Sequence, residues 1–279
     1  MEFFAHPQYC NVEGHKLAYY RAGQGEPLLL VHGITTYSFI WRKVIPFLVP
    51  HFDVIAIDLL GCGKSDMPLS VSYSIKTHAL RIKALLEDLN LSETHLVTHD
   101  VGGGIGQICA AQFPNKWKSL TMINPVGYDY WPVQPIIAMR TPILRLFAMA
   151  SLDFGVFKII VKRGLFHKQN LTDELMSHFW MPMKTRAGRK AFLHFARCLD
   201  NQDLIEIENQ LKQLDLPVLI IRGDADPYLT LSITERLHED IPQSKFLRIS
   251  TGAHFIQEDE PEMLADHFQA FLRGLPVHA

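Results

Sequence analysis

Three residues far apart in this chain have the types and the order needed for nucleophilic catalysis. Asp100 ends the run Leu96-Val97-Thr98-His99-Asp100 and leads into Val101-Gly102-Gly103-Gly104. An apolar strand that turns sharply into a glycine-rich helix start lifts the residue at the turn out of the backbone, where it can attack a substrate. Such a turn crowds the residues two before and two after, so both must be small, and here they are Thr98 and Gly102. Serine usually holds this place in G-x-S-x-G, but no such pentapeptide occurs in the chain. Two other readings fit the same residues. Asp100 could cap the helix N-terminus, or the glycines could form a phosphate-binding loop, although their spacing is not G-x-G-x-x-G.

The partners of a nucleophile fall later in the chain, in the order nucleophile, acid, histidine. His254 lies in Ser250-Thr251-Gly252-Ala253-His254, just after the last expected strand. The acid is Asp226, in Arg222-Gly223-Asp224-Ala225-Asp226-Pro227, because the turn needs room after Gly223; Asp224 is near enough to compete.

The elements that must position these residues are legible as apolar runs alternating with helical periods, the pattern of a parallel sheet covered on both faces. Strands are expected at 8–12, 16–21, 27–31, 53–57, 95–98, 119–123, 217–221 and 245–249, and helices at 75–89, 104–112 and 262–272. The alternation breaks between Tyr128 and Leu214, a stretch rich in Met, Phe and His. It reads as a helical lid, residues 128–213, inserted into a core of residues 1–127 and 214–279. A pocket is expected between sheet and lid, lined by Phe147, Met149, Phe154, Phe157 and Met181. The apolar stretch 136–166 is broken by Arg140, Arg145, Asp153, Lys158 and Lys162. It reads as helices covering that pocket, and a second reading is contact with a membrane surface.

Composition narrows the function classes. Of 279 residues, 48% are apolar, and 27 Lys and Arg stand against 29 Asp and Glu, so neither disorder nor a nucleic-acid-binding surface is indicated. The four cysteines are scattered, with no CxxC, and the histidines form no ligand pattern, so no metal or organic cofactor is implied. No secretory signal or membrane span is evident at the sequence level, and the scattered thiols fit a cytoplasmic setting.

With these elements in order, the sequence resembles the α/β-hydrolase superfamily over nearly its whole length. The segments Asp58-Leu59-Leu60-Gly61-Cys62-Gly63-Lys64-Ser65-Asp66 and His254-Phe255-Ile256-Gln257-Glu258-Asp259-Glu260-Pro261 are further matches. The His-Asp-x-Gly turn resembles the epoxide hydrolase and haloalkane dehalogenase branch. The resemblance implies that Asp100 attacks carbon to form an alkyl ester and that His254, oriented by Asp226, activates water to hydrolyse it. It also implies that the backbone N–H groups of Ile34 and Val101 hold the oxyanion.

Departures from the branch bear on the substrate. Haloalkane dehalogenases usually place Trp after the nucleophile and many place Asn after His-Gly; here these are Val101 and Ile34. Epoxide hydrolases usually donate from lid tyrosines, and the insert has none after Tyr130. The lid then offers His178 as the preferred donor, with Tyr128 or Tyr130 as the second; Trp131 and Trp180 could cradle a halide. The resulting expectation is a hydrolase of a small hydrophobic epoxide, with water as second substrate. Carbon–halogen cleavage, or cleavage of another carbon–leaving-group bond such as that of a strained lactone, is the alternative. A binding protein on the same scaffold is the third reading.

Overall fold

A computed structural model describes residues 2–134, 136–141 and 143–274. One eight-stranded sheet runs through it in the order β1-β2-β4-β3-β5-β6-β7-β8. The strands are β1 (Gln8–Val12), β2 (His15–Ala22), β3 (Glu26–Val31), β4 (Phe52–Ile57), β5 (Thr94–Asp100), β6 (Trp117–Pro125), β7 (Val218–Gly223) and β8 (Ser244–Ile249). β1 pairs antiparallel with β2, and β2 antiparallel with β4; all other pairs are parallel. β5 and β7 bury every residue, β6 all but one, and β3 all beyond its first two, as strands covered on both faces must. This is the α/β-hydrolase fold.

Covering the sheet are α1 (Ile75–Asp88), α2 (Val101–Gln112), α8 (Leu231–Asp240) and α9 (Pro261–Leu272). Ser74 caps α1 by accepting from the Thr77 amide. Between β6 and β7 the described residues form helices and no strand: α3 (Ile136–Arg140), α4 (Leu144–Ser151), α5 (Phe157–Arg163), α6 (Asp173–Trp180) and α7 (Arg186–Cys198), with a π-helical turn at Leu152–Val156 joining α4 to α5.

Two elements differ from the sequence expectation. α2 starts at Val101 rather than Gly104, so the glycines are the first helical turn and not a loop. They are small because the helix packs hard on the sheet. A Cβ on Gly102 would come within 2.6 Å of the His32 carbonyl oxygen, and one on Gly103 within 2.5 Å of Pro125. This packing accounts for the glycines without any phosphate. α8 had no counterpart in the sequence reading, because its short apolar stripe of Ile233 and Leu237 is set among charged residues.

One buried carboxylate organises the loops after β3 and β4. Asp58 accepts from the Ser38 amide at 2.9 Å and the Lys64 amide at 2.8 Å. The turn between has positive φ at Gly61 and Gly63, and a Cβ on Gly63 would collide with the Asp58 carboxylate. His32 accepts from the Leu59 amide through Nε2 at 3.0 Å and donates from Nδ1 to the Gly33 carbonyl at 2.7 Å. Burial pushes its pKa down to about 4, which keeps it neutral in that tautomer.

Candidate active site

Asp100 stands where β5 becomes α2, with φ 55° and ψ −122°. A non-glycine residue there is strained. Its carboxylate makes no capping bond to the helix. Instead Oδ2 accepts from the Ile34 amide at 3.1 Å, and the Val101 amide is a second backbone donor to the same group. The side chain is 8% exposed. Burial raises its pKa above the ordinary carboxylate value, opposed by the charge of His254 and by the two amides.

His254 Nδ1 bonds Asp226 Oδ2 at 3.0 Å. The other Asp226 oxygen accepts from the Tyr228 amide at 2.8 Å and the Leu229 amide at 3.3 Å. Asp224 turns away and pairs with Arg248 at 2.8 Å. Of the two carboxylates, then, only Asp226 touches the histidine. Burial works against the His254 cation, but the charge and hydrogen bond of Asp226 and the charge of Asp100 override it, holding the imidazole pKa above its ordinary value. Burial likewise opposes the Asp226 anion. The His254 charge and bond outweigh it, aided by Arg222, and the Asp226 pKa lies below the usual range.

Several residues that hold this arrangement carry no role in the sequence reading. Asn124 Nδ2 donates to the carbonyls of Ala253 at 2.9 Å and His254 at 3.0 Å, while its Oδ1 accepts from the Gly223 amide at 2.9 Å. One side chain thus ties the acid loop to the histidine loop. Asn124 has φ 40°, which asparagine tolerates better than most residues. His99 Nε2 donates to the His254 carbonyl at 2.8 Å, and burial keeps it neutral with a pKa of about 3. Arg222 is buried below Asp226, its Nη1 3.4 Å from Oδ2. The available signal was positional: Asn124 ends a strand where most residues are apolar, and Arg222 ends another.

Asp100 and His254 open into an apolar cavity shared with Ile34, Phe157, Phe192 and Tyr228. Core and inter-strand helices both contribute to its wall. Besides Asp100 and His254, the polar side chains there are Thr35, Gln134 and Tyr228. Tyr228 packs edge-on against the His254 ring, and its hydroxyl donates to the Ile160 carbonyl at 2.5 Å.

The donors expected from the lid are not in this wall. His178 lies stacked on Phe39, ring centroids 5.2 Å apart and nearly parallel, with Nδ1 3.4 Å from the Tyr37 hydroxyl. The Tyr128 hydroxyl donates to Asp240 at 2.8 Å, under the Arg236 guanidinium, and Tyr130 is exposed. Trp131 is buried outside the cavity wall, and so is its partly buried counterpart Trp180. Of the apolar lining residues expected, Phe157 is in the wall, Phe147 is 69% exposed, Met149 and Met181 are partly buried elsewhere, and the Phe154 side chain lies outside the described residues. No group of three or more His, Cys, Asp and Glu able to hold a metal occurs among the described residues.

The family model for the alpha/beta hydrolase fold matches residues 26–261. The chain belongs to the α/β-hydrolase fold family. An uncharacterized hydrolase of Bacillus subtilis, YugF, is 30% identical over 94% of this chain and 96% of its own. A cis-3-alkyl-4-alkyloxetan-2-one decarboxylase of Shewanella oneidensis is 28% identical over 95% of this chain and 87% of its own. A haloalkane dehalogenase of Agrobacterium fabrum is 26% identical over 90% and 86% respectively. The protein is an α/β hydrolase, and its relatives include one named for acting at a carbon–halogen bond.

Proposed function

We propose that this hydrolase opens a strained oxygen ring on a small apolar molecule, with Asp100 as nucleophile and residues 128–213 as a cap over the site. The observation that carries this reading is the placement of the Asp100 carboxylate. It faces an apolar cavity beside His254, with one oxygen already held by the Ile34 amide. A carboxylate so placed has no proton to lose before attacking saturated carbon. Its free oxygen forms the new C–O bond as the ring C–O bond breaks, leaving an alkyl ester and an oxygen anion on the product. His254 then takes a proton from water, and the hydroxide adds to the Asp100 carbonyl carbon. The Ile34 and Val101 amides face the oxygen that gains charge. Collapse expels the ester oxygen, which takes the proton from His254, and the Asp100 carboxyl so released gives its own proton up to the ring oxygen anion through the site, restoring the carboxylate.

An epoxide is the simplest such ring. A second reading, a four-membered lactone, has its own support. An epoxide leaves as an alkoxide, which needs a proton, and the phenol in the cavity wall, Tyr228, already donates to the Ile160 carbonyl, which leaves His254. A lactone attacked at its saturated carbon leaves as a carboxylate, stable at neutral pH without one. The Shewanella relative is named for an oxetan-2-one, which is such a ring. A halide is supported less, since Ile34 and Val101 have no side-chain donors and no Trp lies in the cavity wall.

The test is to replace His254 with Gln and measure intact mass after incubation with epoxides, β-lactones and alkyl halides. An adduct on Asp100 equal to the whole ring substrate supports the proposal and identifies which ring. An adduct lighter than its substrate by HX, with halide released, replaces it with dehalogenation. Turnover unchanged in Asp100→Ala overturns the nucleophile outright.

A further inference from the structure

The helices that roof the cavity are apolar on both sides. Ile136, Met139, Phe157 and Ile160 face inward to the cavity wall. On the other side, Ile143 is 70% exposed, Phe147 69% and Ile159 59%, with Ile137 and Leu144 also in solvent. Of the thirteen exposed large apolar side chains among the described residues, eight fall between residues 130 and 166. The other five are single residues scattered along the chain, as on any soluble surface. A clustered set is different and marks an interaction surface. α3, α4, the π-helical turn and α5 pack on one another in succession, so the cluster is continuous along them.

Charge identifies the occupant. Residues 136–168 contain six Lys and Arg and one acid, Asp153, a net of +5 by count. The whole chain is −2, so the remainder is −7. Asp153 is neutralised by Arg189. Among the described residues, Arg140, Lys158, Lys162 and Arg163 are exposed, Arg145 is part-exposed, and none of the five takes part in an ion pair given by the structure. An isologous dimer through this face would set the same cationic patch against itself. Exposed Ile and Phe interleaved with unpaired Lys and Arg instead match a surface that is anionic outside and apolar just beneath.

We infer that the outer face of α3–α5 docks on an anionic lipid surface. Ile143, Phe147 and Ile159 enter the acyl boundary, and the basic residues meet the headgroup phosphates. This face lies over the cavity, so docking would let an apolar substrate reach the site from the bilayer. Delivery of substrate rests on the catalytic reading above, whereas lipid binding does not, and the two can fail separately.

The experiment uses the full chain and sedimentation with vesicles of phosphatidylcholine alone or mixed with phosphatidylglycerol. The wild type should pellet with the mixed vesicles, at least tenfold more tightly than with phosphatidylcholine, and should be released by salt. Phe147→Glu and Ile143→Glu should each lower binding about tenfold or more while leaving turnover of a water-soluble substrate unchanged. Lys158→Glu with Lys162→Glu should do the same through charge. Equal binding to both vesicle types, or binding untouched by these variants, overturns the proposal. So does absence of vesicle binding with a concentration-dependent dimer that Phe147→Glu dissociates, which would assign the face to a second copy.

Discussion

In the proposed mechanism, alkylation of Asp100 would do more than hold the substrate: it would change the basicity of His254. In the resting site burial opposes the imidazolium, and the charges of Asp226 and Asp100 together overcome it. Ester formation would remove the Asp100 charge, and with it one support of the cation, lowering the histidine pKa when a base is needed. The pH dependence follows with a definite sign. On that mechanism attack requires ionised Asp100, and burial raises its pKa. Hydrolysis would require neutral His254 and would fail as pH falls through the histidine pKa of the ester, which lacks the Asp100 contribution to the resting value. The ester fraction should therefore rise as pH is lowered over the range in which Asp100 stays ionised. Rapid quenching with mass analysis of the Asp100 peptide measures this; an ester fraction that falls with pH would contradict it. Arg222 tunes the same balance, because its charge disfavours the His254 cation. Arg222→Met should shift the acidic limb of kcat upward in pH, and a limb that stays put would show that the buried guanidinium only fills space. Asp100, Asp226 and His254 were legible because turn chemistry restricts which residue types fit there. Arg222 and Asn124 were not, since their roles depend on what lies beside them in neighbouring strands.

At the scale of elements, the turn at Asp100 is tight because β5 and α2 approach closely, and glycine makes that possible. A methyl group on Gly102 meets the His32 and Val31 carbonyls, which are backbone and cannot swing aside. Gly102→Ala should cost about 1–3 kcal/mol of stability, as overpacked interiors do. It should also lower kcat, because the backbone that shifts is the one presenting Ile34 to Asp100. Thermal unfolding with kinetics on the folded enzyme tests both; full activity with only a lower Tm would uncouple the turn from the amide cradle. The inner strands were readable because they are bounded apolar runs, β1 and β2 because Glu13-Gly14 turns between them, and α1 and α9 because their periods are long. The inter-strand helices were readable as helices, but not in their direction. His178 had the right chemistry for a donor, yet α6 points its ring onto Phe39, and Phe147 looks outward from α4. A segment that is apolar all round carries no stripe from which to read its inner face.

The site is assembled from loops at opposite ends of the chain, so the molecule must join them somewhere. Arg42, in the segment after β3, donates through two nitrogens to Glu258, four residues after His254, and Lys43 reaches the same carboxylate at 3.0 Å. Arg42 and Glu258 are both buried. The neighbouring Asp259 accepts from the Ala253 amide at 3.1 Å and the Phe166 amide at 2.9 Å, extending the clasp to the histidine loop and to the chain after α5. A pair like this stabilises little relative to an apolar substitute, because both ions lose water. Breaking it from one side is another matter, since a buried guanidinium is left without its counter-charge. Glu258→Gln keeps the shape and removes the charge, and should cost about 3–5 kcal/mol. For a chain of this size that corresponds to a fall in Tm of roughly 10 °C. Arg42→Met combined with Glu258→Leu should recover most of it, because no charge is stranded. If the clasp also sets the distance between the Ile34 amide and His254, the double variant will be stable but slow, with kcat reduced and Tm near wild type. If the double variant is both stable and fully active, the pair is a structural join, and packing of Ile256–Asp259 against Ser38–Trp41 suffices to keep the two loops in register.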